Sequence, residues 1–146
     1  MSDVVKIYQL YMENAAQNKQ PKMTVDKDGS KFWHLHGKLH RIDGAAVEWA
    51  NGAKRWYQHG KLHRDDGPAV EGPDGDKEWY QHDKLHREDG PAIENEHVGK
   101  MWYLHNTYYE NIDAWAKAVL KMRNEPHDDE AVQKFVRMIL TKDDLI

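Results

Sequence analysis

The sequence predicts an α+β protein: a single-layer antiparallel meander sheet of about seven or eight strands, built of 23-residue β-hairpin repeats, with one N-terminal and two C-terminal flanking helices. Three observations predict it. Trp33, Trp56, Trp79 and Trp102 stand 23 residues apart. Glycine-containing turn signals recur in step with them, and outside the repeats the apolar residues fall at helical spacing. The expected organisation is one domain over residues 1–146: a helix within 1–20, the array over 22–109, and a helical segment over 110–146.

The repeat reads most clearly as WYQHGKLHRDDGPAVEGPDGDKE (56–78) and WYQHDKLHREDGPAIENEHVGKM (79–101). An earlier copy, WHLHGKLHRIDGAAVEWANGAKR, fills 33–55, and a half-copy, WYLHNTYY, fills 102–109. Asp28-Gly29-Ser30-Lys31 lies one period before Asn51-Gly52-Ala53-Lys54, so a partial unit precedes the first. Each unit reads as an aromatic strand, K-x-W-Y-Q-H, and a second strand, P-A-V-E, whose proline sits where a missing N–H is tolerated. The Asn-Gly and Asp-Gly pairs read as tight turns, and GKLHRxDG, with Gly44, Gly67 and Gly90, as a wider return. A unit this short buries no core alone, so neighbours must stack.

Helices are expected on both sides. Val4, Ile7, Tyr8, Tyr11 and Ala15 share one helical face, with Ser2 or Asp3 as cap. Ile112, Trp115, Val119 and Met122 form a second stripe, which Pro126 ends. A third begins with Asp128, Asp129 and Glu130, acidic as a helix N-terminus favours, and aligns Val132, Phe135, Val136 and Ile139. These helices are expected to cap the ends of the sheet or cover a face, and homodimerisation is a further role open to them.

Composition narrows the function classes. Net charge is −4, and residues 28–105 carry 11 basic and 14 acidic groups, which argues against duplex nucleic acid as a partner. The chain has no cysteine, hence no disulfide and no thiolate chemistry, in keeping with the cytoplasm. The N-terminal residues lack the apolar core of a signal peptide, and no stretch approaches the roughly 20 apolar residues of a membrane span. Six Trp and seven Tyr supply the apolar area that a modest aliphatic content does not, so the chain is expected to fold.

Side chains alternate across a strand, so Trp56 and Tyr57, and likewise Trp79 and Tyr80, are expected on opposite faces. A sheet aromatic on both faces must be covered twice or must present one face to a partner, and three short helices are few for two faces. His36, His59, His82 and His105 form one expected column, on the Tyr side. His40, His63 and His86 form another, each followed by an arginine, Arg41, Arg64 and Arg87. The expected binding residues are thus Trp56, Tyr57, His59, His63, Arg64, Trp79, Tyr80, His82, His86 and Arg87. No cofactor and no metal are expected: equivalent histidines lie roughly 9.5 Å apart, too far to share an ion whose ligands stand within about 3.5 Å of one another. There is no Walker loop and no Gly-x-Ser-x-Gly, and each candidate catalytic group in the array is copied two or three times, whereas a catalytic residue is normally unique.

The pattern W-Y-x-x-G-K-x-H-R-x-D-G-P-A resembles a MORN-type repeat variant found in uncharacterised bacteriophage, giant-virus and bacterial proteins. The resemblance covers about residues 22–109. It implies consecutive hairpins in an elongated, twisted sheet that serves as an interaction scaffold, and, in a phage setting, a host or defence protein as the partner. The usual His-Gly-x-Gly turn is replaced here by His-Arg-x-Asp-Gly-Pro, so lipid-binding roles transfer poorly. Three functions follow in order: clasping a partner protein, sequestering a small anionic ligand such as a nucleotide second messenger on the arginine row, and hydrolysis at a His/Asp site in the turns.

Overall fold

The computed structural model describes residues 3–17 and 19–143. Helix α1 (Asp3–Gln17) leads into fourteen short strands: β1 (Lys22–Val25), β2 (Lys31–Leu35), β3 (Lys38–Leu39), β4 (Val47–Glu48), β5 (Lys54–Arg55), β6 (Tyr57–Gln58), β7 (Lys61–Leu62), β8 (Val70–Glu71), β9 (Lys77–Glu78), β10 (Tyr80–Gln81), β11 (Lys84–Leu85), β12 (Ile93–Asn95), β13 (Gly99–Leu104) and β14 (Thr107–Tyr109). Helices α2 (Ile112–Met122) and α3 (Asp129–Asp143) follow. The expected antiparallel meander with one N-terminal and two C-terminal helices is what the chain forms. Of the caps considered for the first helix, Ser2 lies outside the described residues.

The main sheet runs β1-β2-β4-β5-β8-β9-β12-β13-β14, every pairing antiparallel. Strand segments outnumber the expected seven or eight for two reasons. The Lys-Leu of each wide return pairs back on the aromatic strand, as β3 on β2, β7 on β6 and β11 on β10. In the middle repeats the tryptophan also interrupts its strand. Trp56 N–H donates to Ala69 O at 2.8 Å and Trp56 O accepts from His63 N–H at 3.1 Å, so the indole stands where the chain leaves the ladder for a hairpin.

That hairpin corrects the reading of the turns. His36-Gly37, His59-Gly60, His82-Asp83 and His105-Asn106 all have positive φ, between 48° and 80°, the two-residue hairpin turn whose twist matches paired strands. Glycine, aspartate and asparagine are the residues that tolerate its second position. The Asp-Gly and Asn-Gly sites are hairpin turns as expected, in three-residue loops: Gly29, Gly52 and Gly75, at φ 89–91°, each donate back across the loop. Gly44, Gly67 and Gly90 do not have positive φ; a Cβ there would lie 2.9, 2.9 and 2.6 Å from the guanidinium carbon of Arg41, Arg64 and Arg87. They are glycine because an arginine packs on them.

The array has a thin core. Ala46, Ala69 and Ala92 are fully buried in register, with Val47 and Pro91 beside them. The thicker core lies at the C-terminal end, where Trp115, Val119 and Leu120 of α2 meet Phe135, Val136 and Ile139 of α3 and Leu104 of β13. Asn111 caps α2 by accepting from Ala114 N–H at 2.9 Å. The expectation that helices cap the sheet holds at this end; at the other, every described side chain of α1, from Val4 to Glu13, is exposed.

Candidate functional site

Each wide return builds the same set of contacts. Arg64 stacks on the Trp56 ring at 4.0 Å, donates Nε to Asp66 at 3.0 Å, and donates Nη1 to Pro68 O and to Glu71, both at 3.1 Å. Arg41 on Trp33 and Arg87 on Trp79 repeat the arrangement at 4.1 and 3.8 Å, with Asp43 and Glu48, and Asp89 and Glu94, as carboxylate partners. A planar guanidinium is the group that can stack and fork at once. Each guanidinium is thus held within its own turn by two carboxylates, a carbonyl and an indole, and does not project as a free row. The hydrogen bond from the arginine, and then its charge, hold the Asp43 and Asp66 carboxyls below the usual carboxylate range.

The two histidine columns are one ladder of pairs. His40, His63 and His86 are buried, and each Nδ1 accepts the backbone N–H of His59, His82 and His105 in the next repeat, at 3.0, 3.3 and 3.3 Å. The paired rings lie 4.1–4.4 Å apart. His59 and His82 sit in positive-φ turns, where strand alternation does not apply, so their position is set by the turn. With Nδ1 accepting, Nε2 carries the proton, and it faces Asp65 in His63 (3.1 Å) and Glu88 in His86 (3.3 Å). Ile42 takes the place of that carboxylate in the first repeat. Burial, then the neighbouring His59 and His36, pushes the His40 pKa down. Burial and His105 push the His86 pKa down against the opposing Glu88.

Two further bonds close each junction. The wide turn reaches forward: Arg41, Arg64 and Arg87 N–H donate to the carbonyls of Tyr57, Tyr80 and Tyr103 at 3.1–3.2 Å. The tight turn reaches back: Gly60, Asp83 and Asn106 N–H donate to Leu39, Leu62 and Leu85 O at 2.8–2.9 Å, and Asp83 and Asn106 also accept from Leu62 and Leu85 N–H at 2.7 Å. The tyrosines belong to this seam. Tyr80 is half-buried beside Glu78, with Tyr103 of the next repeat near, and burial with the Glu78 hydrogen bond pushes its phenol up to about 12.

Between successive wide turns the surface opens into two equivalent clefts. One, of about 510 Å³, lies between Arg41–Gly44 and His63–Asp66, over Trp56 and Gln58. The other, of about 530 Å³, lies between Arg64–Pro68 and His86–Asp89, over Trp79 and Gln81. Of the ten expected binding residues, Trp56, His63, Arg64, Trp79, His86 and Arg87 come together here. Tyr57, Tyr80, His59 and His82 lie instead in the hairpins of the seam.

Helix α2 stands where a third cleft would be. Trp115 packs on Trp102 at 4.7 Å, in the place that an arginine takes on the other indoles, and its Nε1 donates to Arg87 O at 3.1 Å. Arg123, after α2, reaches Glu88 Oε2 at 3.0 Å. The floor residue changes to match: Gln58 and Gln81 where the cleft is open, Leu104 where the helix covers it. Reading the sequence for columns of identity missed this floor; the Leu-Gln-Gln-Leu series at 35, 58, 81 and 104 was the available signal.

Arg41 and Arg64 face Asp43, Asp65 and Asp66 in the first cleft; Arg64, Arg87 and Arg123 face Asp65, Asp66, Glu88 and Asp89 in the second. Carboxylates outnumber arginines by one in each. Among the described residues no three of His, Asp and Glu converge to hold a metal ion, and no helix is long and apolar enough to cross a membrane. No protein-family model, curated protein or solved structure matches the chain.

Proposed function

We propose that this chain is a non-catalytic β-repeat scaffold that clasps a partner protein on the face carrying the two clefts. The observation that carries the reading is the contrast between the clefts and their third equivalent. Where the chain wants that position closed, it supplies an indole from α2 and a leucine floor at Leu104. Over Trp56 and Trp79 it keeps polar glutamine floors and leaves the position open. A protein segment that brings its own aromatic side chain would repeat in trans what Trp115 of α2 does in cis. The slight excess of carboxylates favours a cationic segment. We place such a scaffold in the cytoplasm, in keeping with its lack of cysteine, and its kinship with MORN-type repeats is part of the same proposal.

Two other readings find less support. Sequestering a nucleotide needs guanidinium groups free for phosphate, and Arg41, Arg64 and Arg87 are each engaged by two carboxylates. Hydrolysis needs a free imidazole nitrogen, and both nitrogens of His63 and of His86 have partners. The test is a comparison of wild type with the Gln58→Arg/Gln81→Arg double variant, which blocks both floors without touching the seam. The double variant is expected to keep its melting temperature and to lose the protein that wild type captures from cell lysate. Capture of the same protein by both, or a melting shift of wild type with nucleotides, overturns the reading.

A further inference from the structure

We infer that the chain self-associates through α1, which packs antiparallel against the α1 of a second copy. Val4, Ile7, Tyr8, Tyr11 and Met12 are 75, 69, 64, 69 and 50% exposed, an apolar stripe left open to solvent among the described residues. A 15-residue helix has too few turns to hold in water on its own propensity, so a helix here calls for a surface to bury that stripe. The stripe is also its own complement. Reversed about the midpoint between Gln9 and Leu10, Ile7 falls on Met12 and Tyr8 on Tyr11, so these four central positions read alike in both directions. A two-fold interface requires such a pattern, with residue i meeting j and j meeting i.

The other features of α1 fit a second copy better than the alternatives. Lys6 and Glu13 lie roughly 150° around the helix from Tyr8, so no charge is buried by pairing the stripes. A lipid surface asks for a lysine- and arginine-rich polar face. Helix α1 has one lysine, Lys6, and no basic residue in its last turn. The open clefts are carboxylate-rich and polar-floored, the wrong surface for Ile7 and Met12. A stripe on one short helix is smaller than the ~800 Å² per partner of a tight complex, so the dimer is expected to form in the micromolar range.

Light scattering coupled to gel filtration, over about 1 to 200 µM, tests this. The wild-type mass is expected to climb from the 17.2 kDa of one chain toward twice that value. Tyr8→Asp/Tyr11→Asp, and separately Ile7→Glu, are expected to stay monomeric and to lose helical circular dichroism. Their melting temperature is expected to be unchanged, since the exposed stripe supports nothing in the repeat body. A wild type that remains monomeric, with or without binding to anionic vesicles, overturns the inference, as does a dimer that survives both variants. The chain has no cysteine, so Val4→Cys reports orientation. Antiparallel helices hold the two Val4 positions at opposite ends, and rapid disulfide cross-linking of this variant overturns the antiparallel arrangement.

Discussion

A buried histidine that accepts a backbone N–H through Nδ1 makes the array sensitive to acid. Protonating His40 or His86 removes that acceptor and buries a charge, which is why burial depresses their folded pKa values. A depressed folded pKa means that the folded state binds the proton less readily than the unfolded chain. The stabilisation is therefore fully present above the unfolded histidine pKa of about 6.5 and is lost as pH falls through the folded values. Melting temperature is expected to fall between pH 7.5 and 5, and to fall less in His40→Asn than in wild type; a flat profile would contradict the ladder. The arginines give a second prediction at this scale. Arg64→Lys cannot stack on Trp56 and fork between Asp66 and Glu71 at once, so a loss of about 1–3 kcal/mol is expected in urea unfolding. Gly67→Ala should cost a similar amount by displacing the same guanidinium, since its Cβ would lie 2.9 Å from Arg64 Cζ. Equal stability of Gly67→Ala and wild type would show that the glycine is there for another reason.

At the scale of elements, α2 is a repeat unit replaced by a helix. Trp115 substitutes for the stacking arginine and Leu104 for the glutamine floor, so truncating the indole exposes the last hairpin as well as emptying the helical core. Trp115→Ala is expected to cost about 3–5 kcal/mol, and Asn111→Ala, which removes the cap alone, about 1 kcal/mol. Chemical denaturation orders the two; a cap variant as damaging as the indole variant would contradict this division. Helices α2 and α3 and the 23-residue spacing of the tryptophans were legible in sequence because each depends on a period that burial enforces. The tight turns were not. His59-Gly60 offers the positive-φ signal only at its second residue, and Lys61-Leu62 is too short to show alternation. Parity placed His59 on the wrong basis because it counts through a turn that resets it. The reason for Gly44, Gly67 and Gly90 was likewise invisible, since it lies in a guanidinium folded over the glycine, which no spacing rule encodes.

For the whole molecule, the repeat separates two jobs. The seam of His, Tyr and tight-turn contacts joins each unit to the next. The wide turns beside each tryptophan leave a cleft per junction, until α2 ends the series. Such an array gains length by copying a junction, and a partner segment that fits one cleft finds a second one period further on, which strengthens binding through local concentration. Blocking one floor, as in Gln81→Arg alone, is then expected to weaken capture less than blocking both; equal loss in the single and double variants would mean that one cleft does all the binding. The most direct measurement is hydrogen–deuterium exchange of the chain free and in complex with the partner captured by wild type. Amides of the wide turns 64–68 and 86–89 are predicted to slow by about tenfold or more on binding, with the exchange of β1 unchanged. Protection confined to β1 or α3, with the two wide turns exchanging as in the free chain, would contradict the account.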